Sequence, residues 1–311
     1  MANSAPAKTG VIIMTYGSAT TAEHVAEYMH HIYKDKVPEG LIDDFADRYR
    51  QVGHSPLVEI TEKQAVLLGN ELGGDFIVKA GMLHSHPFIE EAVAACREAG
   101  AEKLVGIILS PQFSSFIMEG YRTKLKEAAQ KHSYTPDDVV IAGPWPTEPN
   151  FVGLLSKRVN DALTRLHKTY GDNVPVVFTT HSLPERVVAK DPEYLTQLQA
   201  TAEAVVARLD DPKLEWYRGY QSAGHTPEPW LKPDLVDILA DLRDKHDKAV
   251  LIVPIQFLAD HLEILYDLDI AGGEQCEDYG ISYNRIELPN TDPLFIASLA
   301  AVTSAALHPS K

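Results

Sequence analysis

The stretch Val176-Val177-Phe178-Thr179-Thr180-His181-Ser182-Leu183-Pro184 decides the fold. Its β-branched and aromatic residues follow a turn-forming Gly171-Asp172-Asn173, which predicts a buried strand. The strand delivers His181 just before a proline that opens a new segment. Open α/β sheets meet their ligands outside the carboxyl ends of the strands, so His181 stands where a ligand group belongs. Taken alone, the same pattern also fits a histidine tied into a local turn. The chain, however, repeats the arrangement. Val11-Ile12-Ile13-Met14-Thr15 brings Tyr16 to a Gly17-Ser18 turn. A second echo pairs the apolar run Leu104 to Leu109, followed by Gln112 and Phe113, with Ala249 to Val253, followed by Gln256 and Phe257. Two echoes in the same order predict two similar Rossmann-like α/β lobes, each a parallel sheet flanked by helices. A cleft between them is expected, with Tyr16 on one wall and His181 on the other.

Length supports two lobes, because 311 residues exceed the size at which one core stops growing. Residues 1–145 form the expected first lobe and 146–311 the second, with a helix over about 292–307 able to pack back on the first. The boundary falls in Gly143-Pro144-Trp145-Pro146-Thr147-Glu148-Pro149, where three prolines oppose helix and central strand alike. Lys and Arg total 28 against 44 Asp and Glu, a net charge of −16. Such a chain repels nucleic acid and anionic membranes and attracts cations. Only Cys96 and Cys276 are present, too few for a four-cysteine iron–sulfur or zinc site. With no disulfide framework, no apolar run of membrane-spanning length and a polar Met1 to Gly10, a cytoplasmic protein is expected.

Along the chain, Thr21 can cap a helix through Tyr33, a second helix covers Leu41 to Arg50, and a third starts after Thr61. Phe76 to Met82 reads as a strand leading to Leu83-His84-Ser85-His86-Pro87. His84 therefore lies near a strand end, and His84-x-His86 has a spacing that suits a metal on extended backbone, although a polar loop explains His86 equally. Gln221 to Trp230 is a long Gly/Pro loop with an aromatic tip, of a length more often functional than idle. Beyond it, Asp260-His261-Leu262-Glu263-Ile264-Leu265-Tyr266-Asp267 predicts a helix. In that helix Leu258, Leu262 and Leu265 share one face, and Asp260, Glu263 and Asp267 share the other. Carboxylates aligned without intervening lysines suit a track for a divalent cation; a solvated acidic face is the plainer alternative.

Thr179-Thr180-His181-Ser182-Leu183-Pro184 and Phe257-x-x-Asp260-His261-Leu262-Glu263-x-x-Tyr266-Asp267 together closely resemble the two signature motifs of ferrochelatases, which insert ferrous iron into porphyrins. The Ser222 to Trp230 loop and the Ser55-Pro56-Leu57 turn are also similar, so the resemblance spans nearly the whole chain. Tyr16 in Met14-Thr15-Tyr16-Gly17 is similar to the branch that uses coproporphyrin III rather than protoporphyrin IX. The resemblance implies that His181 and Glu263 are catalytic and meet the incoming iron, with Asp267 next on the metal path. It further implies Tyr16 as the group approaching iron from the other face of the porphyrin, propionate contacts at Arg48, Ser55 and Tyr121, and further porphyrin contacts at Tyr49, His84 and Trp230. The chain departs from the family at Tyr33, where relatives carry arginine, at Leu83, often lysine, and at Ala271, commonly an acid.

No cofactor and no iron–sulfur cluster is implied, since Fe2+ and coproporphyrin III are both substrates. A monomer is expected, in transient contact with an iron donor and the next enzyme of the haem pathway. Three readings stand at this point. The first is a lyase of the coproporphyrin ferrochelatase type. The second is a protoporphyrin or other tetrapyrrole metal chelatase, and the third a non-catalytic haem or porphyrin carrier. A carrier would have no use for His181 and Glu263 together.

Overall fold

The computed structural model describes residues 8–224 and 226–309; His225 of the long loop and the polar lead before Lys8 lie outside them. Two compact units emerge, one from residues 1–145 and 290–311, the other from 146–289. Each is organised by a short apolar strand at the middle of a parallel sheet.

The first unit begins with β1 (Lys8–Thr15), followed by α1 (Val25–Tyr33), α2 (Leu41–Val52), α3 (Leu57–Leu72) and β2 (Phe76–Met82). It continues through α4 (Ile89–Glu98), β3 (Ala101–Ile108), α5 (Ser115–Lys131) and β4 (Val139–Ile141). The sheet order is β2-β1-β3-β4, all parallel, with Met14 opposite both Gly81 and Ile108. Val11 to Met14 are fully buried, as a central strand covered on both faces requires. On one face Ile12, Met14, Leu104 and Ile108 pack with Tyr121 and Leu125 of α5. One boundary differs from the sequence reading. α3 starts at Leu57, directly after Pro56, and the Thr61 hydroxyl donates to the Leu57 carbonyl at 2.7 Å, so Thr61 sits inside the first turns rather than before them.

The second unit opens with α6 (Pro149–Tyr170), where Pro149 takes a first-turn position and the Glu148 carboxylate accepts the Phe151 N–H at 2.8 Å. The last proline of the expected linker thus starts a helix. Then come β5 (Val176–His181), α7 (Glu185–Val188), α8 (Glu193–Val206), β6 (Trp216–Gln221), α9 (Leu235–Asp244) and β7 (Ala249–Pro254). A π-helix (Glu263–Gly272), α10 (Gly273–Asp278) and β8 (Ser282–Arg285) complete it. The order β6-β5-β7-β8, all parallel, repeats the first sheet strand for strand. The two sequence echoes are therefore β1 with β5 and β3 with β7. The final helix α11 (Pro293–Leu307), capped by Asp292, packs back on α3 and β3, so residues 290–311 group with the first unit.

Close packing at β2 gives a test of this arrangement. A Cβ at Gly81 would lie 2.9 Å from the Ile89 Cα and 3.3 Å from the Ala92 Cβ, where backbone must move. Gly81→Ala should cost about 1–3 kcal/mol, lowering the thermal midpoint seen by circular dichroism by a few degrees. Gly74→Ala, with open space around it, should stay within about 0.5 kcal/mol of the parent. Equal midpoints for the two variants would show that β2 and α4 are not packed this closely.

Candidate active site

In the first unit, β1 ends by presenting Tyr16, which remains 44% exposed. Gly17 makes the turn beyond it at φ 89°, and a Cβ there would collide with the Ser85 side chain. The N–H groups of Leu83 and His84 donate to the carbonyls of Thr15 and Tyr16 at 3.1 and 3.0 Å. The β1 and β2 exits are thereby stitched together, and the His84 ring rests on Tyr16 with centroids 4.5 Å apart. Burial, helped by the neighbouring His31 and Lys124, pushes the His84 imidazole down to about 4. Ser55 is buried, its hydroxyl 3.1 Å from that of Ser18. Tyr121 is 6% exposed, and its phenol is pushed up by burial and by the proximity of Tyr16. In α2, Tyr49 is 1% exposed, so the half-buried Arg48, stacked over Phe45 at 5.1 Å, is the more accessible of the pair. Of the departures from the family pattern, Tyr33 is exposed and Leu83 packs against the unit's core. His84 and His86 do not converge: His84 meets His31, whereas His86 Nδ1 lies 2.8 Å from the Glu91 carboxylate.

In the second unit, the end of β5 is held from both sides. The His181 N–H donates to Gln256 Oε1 at 3.1 Å, the Gln256 amide donates to the Tyr194 hydroxyl at 2.9 Å, and the Ser182 N–H donates to the Gln221 carbonyl at 2.8 Å. The His181 Nδ1 faces the Ser182 carbonyl, which can only accept, so this nitrogen carries the proton and Nε2 presents a lone pair. That Nε2 is 3.8 Å from the Glu263 carboxylate. His261, which the sequence reading left without a role, lies on the other side, its Nε2 3.7 Å from the same oxygen of Glu263. Burial pushes the His261 imidazole down, but the Glu263 carboxylate, the Ala259 carbonyl and Asp260 together outweigh it and hold its pKa above the ordinary value. The Phe257 ring packs against His181 and His261, at centroid distances of 6.3 and 5.0 Å.

The carboxylate track is only partly as expected. Glu263 begins the π-helix, where the positive end of the helix favours its charge. Asp267 follows four residues later and accepts from the Ser222 hydroxyl. Asp260 precedes the helix and leans on Arg285 at 3.5 Å, so it does not share a face with the other two. Arg285 also binds Asp269 through two bonds of 2.7 Å, and Tyr283 donates to Asp269 at 3.1 Å. Within the helix the buried stripe is Ile264, Leu268 and Gly272; Leu258 and Leu262 are buried as well but precede the helix, and Leu265 is only half-buried. Ala271 is exposed. Trp230 bridges to Pro184, and Leu231 N–H donates to the Leu183 carbonyl at 2.9 Å, which fastens the long loop to the segment after His181. Among the described residues no three His, Cys, Asp or Glu side chains converge as a metal cage. No helix among them is long and apolar enough to cross a membrane.

The fold is similar to that of solved chelatases. SirB from Bacillus subtilis with Fe3+ superposes with a TM-score of 0.60 over 97% of this chain and 96% of that one at 13% identity, and CbiX, described as the terminal enzyme of sirohaem biosynthesis in denitrifying bacteria, gives 0.53. Sequence similarity is much higher elsewhere. A protein of Herpetosiphon aurantiacus named ferrochelatase is 34% identical over 96% of this chain and 99% of its own length. The coproporphyrin III ferrochelatases of Halalkalibacterium halodurans and Bacillus subtilis are each 37% identical, over 95% of this chain and 96% of theirs. The ferrochelatase family model matches residues 8–307, the span that includes both sheets and every residue described above. With identity of this extent carried along both units, and with His181 and Glu263 side by side where the two signature motifs fall, the chain belongs to the ferrochelatase family.

Proposed function

We propose that this protein inserts ferrous iron into coproporphyrin III, yielding the iron coproporphyrin of haem biosynthesis. The observation that carries the reading is the Nε2 lone pair of His181 held 3.8 Å from the Glu263 carboxylate. Iron cannot enter a flat macrocycle until it sheds water and the ring loses its two pyrrole protons. A neutral imidazole accepts such a proton near neutrality and can also ligate iron, while a neighbouring carboxylate stabilises the cationic charge that results. Asp267, steadied by Ser222, attracts the hydrated cation and passes it on. Tyr16 offers its phenol oxygen to iron in the product. Arg48, Ser55 and Tyr121 hold propionates, and His84 and Trp230 contact the ring. Tyr49 contributes by packing α2 under Arg48.

Porphyrin and metal are both substrates, and neither step calls for a prosthetic group. Both cysteines are buried, with thiols pushed up by burial to about 12 for Cys96 and about 11 for Cys276, so neither is a ready iron ligand. The same reading places the protein in the cytoplasm as a monomer that meets an iron donor and the next enzyme only in passing.

Anaerobic addition of ferrous iron to coproporphyrin III should produce the metalloporphyrin spectrum in the presence of the protein, and faster than with protoporphyrin IX. His181→Ala should bind the porphyrin yet fail to convert it. A loss of less than about tenfold, some 1.4 kcal/mol in barrier, would remove His181 as the central base.

Glu263 and Asp267 should fail in different ways. Glu263→Gln removes charge needed as the ring deprotonates, so kcat should fall by at least about 100-fold and excess iron should not restore it. Asp267→Asn should raise the apparent KM for ferrous iron and largely keep kcat. If both lose kcat equally, Asp267 is no relay.

The charge of Glu263 can be read through its neighbour. His261 is held above its ordinary pKa mainly by that carboxylate, against the effect of burial. Glu263→Gln should therefore lower the His261 pKa, observed as an NMR titration of its imidazole carbon. In the parent, the raised pKa makes the His261 contribution to stability greatest below the unfolded value of about 6.5 and lost as pH rises through the folded one. An unmoved His261 titration in Glu263→Gln would place the supporting charge elsewhere.

A further inference from the structure

The His84-x-His86 motif is not used by the iron-insertion chemistry, and its two rings take different partners. His86 turns to Glu91. His84 turns to His31 of α1, and the two Nδ1 atoms lie 3.1 Å apart. We propose that His31 and His84 form a second transition-metal site, which binds a late first-row divalent ion such as Cu2+ or Zn2+ through these two Nδ1 atoms, with water in the remaining positions.

The geometry suits an ion. Metal–imidazole bonds of about 2.0–2.1 Å place two nitrogen ligands about 2.9 Å apart at a right angle and about 3.3 Å apart at the tetrahedral angle. The observed 3.1 Å falls between these values, so the two nitrogens already stand at the separation that a shared metal requires. Without one, two neutral imidazoles can approach in this way only when one Nδ1–H donates to the other. An incoming ion displaces that single proton, which the ring takes up on its Nε2 instead, and gains two lone pairs.

Both rings are also held in place beforehand. His31 is stacked on Phe88 at 5.0 Å with an interplanar angle of 28°, and His84 rests on Tyr16. Packing of this kind limits the ordering that ligand binding must otherwise impose. The nearby Lys124, which lowers the His84 pKa, is paired with Glu127 at 3.0 Å. His31 is exposed, which gives the ion and its waters an approach from solvent. Imidazole pairs hold copper most firmly and ferrous iron only weakly, so the site selects against the ion handled by His181 and Glu263.

The test uses the full chain carrying His181→Ala, so that the imidazole of the other site cannot contribute, and follows Cu2+ binding by electron paramagnetic resonance. The first equivalent should bind with hyperfine splitting from two nitrogens. His31→Gln and His84→Gln, added one at a time, should each weaken it by at least about tenfold and reduce the nitrogen count. His86→Gln should change neither. Because His31 is an exposed position on α1, its glutamine variant keeps the fold, and an unaltered circular dichroism spectrum confirms this. Copper affinity unaffected by His31→Gln, or weakened to the same degree by His86→Gln, overturns the proposal. Neither outcome bears on iron insertion, which is measured separately.

Discussion

One carboxylate shared by two imidazoles governs the local architecture of the second unit. The same oxygen of Glu263 lies 3.8 Å from His181 and 3.7 Å from His261. A partly buried carboxylate surrounded by other acids is costly unless positive charge or hydrogen bonds reach it. The start of the π-helix supplies a partial positive charge, and His261 is driven toward its cationic form by the same carboxylate that it stabilises. The neighbouring acids are handled separately: Arg285 binds Asp269 with two bonds and leans on Asp260. The arginine draws two of the four acids aside, and Glu263 and Asp267 are left on the adjoining stretch of helix.

That division depends on the π-helix. Within it Ile264, Leu268 and Gly272 form the buried stripe at a spacing of four, and Glu263 and Asp267, also four apart, form the row beside it. Ile264 and Leu268 pack with Leu239, Val250 and Ile252, so the hydrophobic core of this unit fixes the rotation of the helix. Rotation in turn fixes where the carboxylates point. A π-helix is rare and recurs at functional sites, since its hydrogen bonding is inferior and survives where side-chain placement compensates. Here the segment carries a core stripe and an acidic row side by side, each at a spacing of four residues.

Much of this was legible in the residues. The apolar runs at Val11 and Val176 read as central strands because β-branched residues buried on both faces leave no alternation to misjudge, and the echoes at Gln112 and Gln256 located equivalent strands in both sheets. Gln256 proved to be more than an echo, since its side chain holds the His181 backbone. What escaped reading was set by distant partners. Asp260 looked like a member of the acidic row because a helical period was extended back to it, while its true partner, Arg285, comes from another strand. The absence of lysine between Lys248 and Lys311 suggested unbalanced charge, yet one arginine on β8 is placed to pair with two acids. His261 was invisible as a site group because a histidine beside a glutamate in sequence says nothing of which face either occupies. The start of α3 was misplaced because Thr61 resembles a cap, and its hydroxyl instead bonds back within the helix.

The two units share a strand order but not a chemistry, and the difference follows from what closes each strand end. In the first, β1 and β2 are joined through backbone bonds to Leu83 and His84, and the gathered groups are a phenol, the uncharged imidazole of His84 and buried hydroxyls. Such groups hold a ligand's polar edges or a metal's coordination sphere without adding net charge. In the second, β5 and β7 are joined through the Gln256 side chain, and the helix that follows β7 brings acids to the imidazole. Those acids attract cations and stabilise transferred protons. A chelation reaction needs both characters, because a porphyrin must be gripped by contacts indifferent to its changing protonation while iron and protons exchange where charge can be absorbed. The two sheets share a strand order while the residues at their carboxyl edges differ in this way. The same edge in each unit is where substitutions should alter chemistry without disturbing the core beneath.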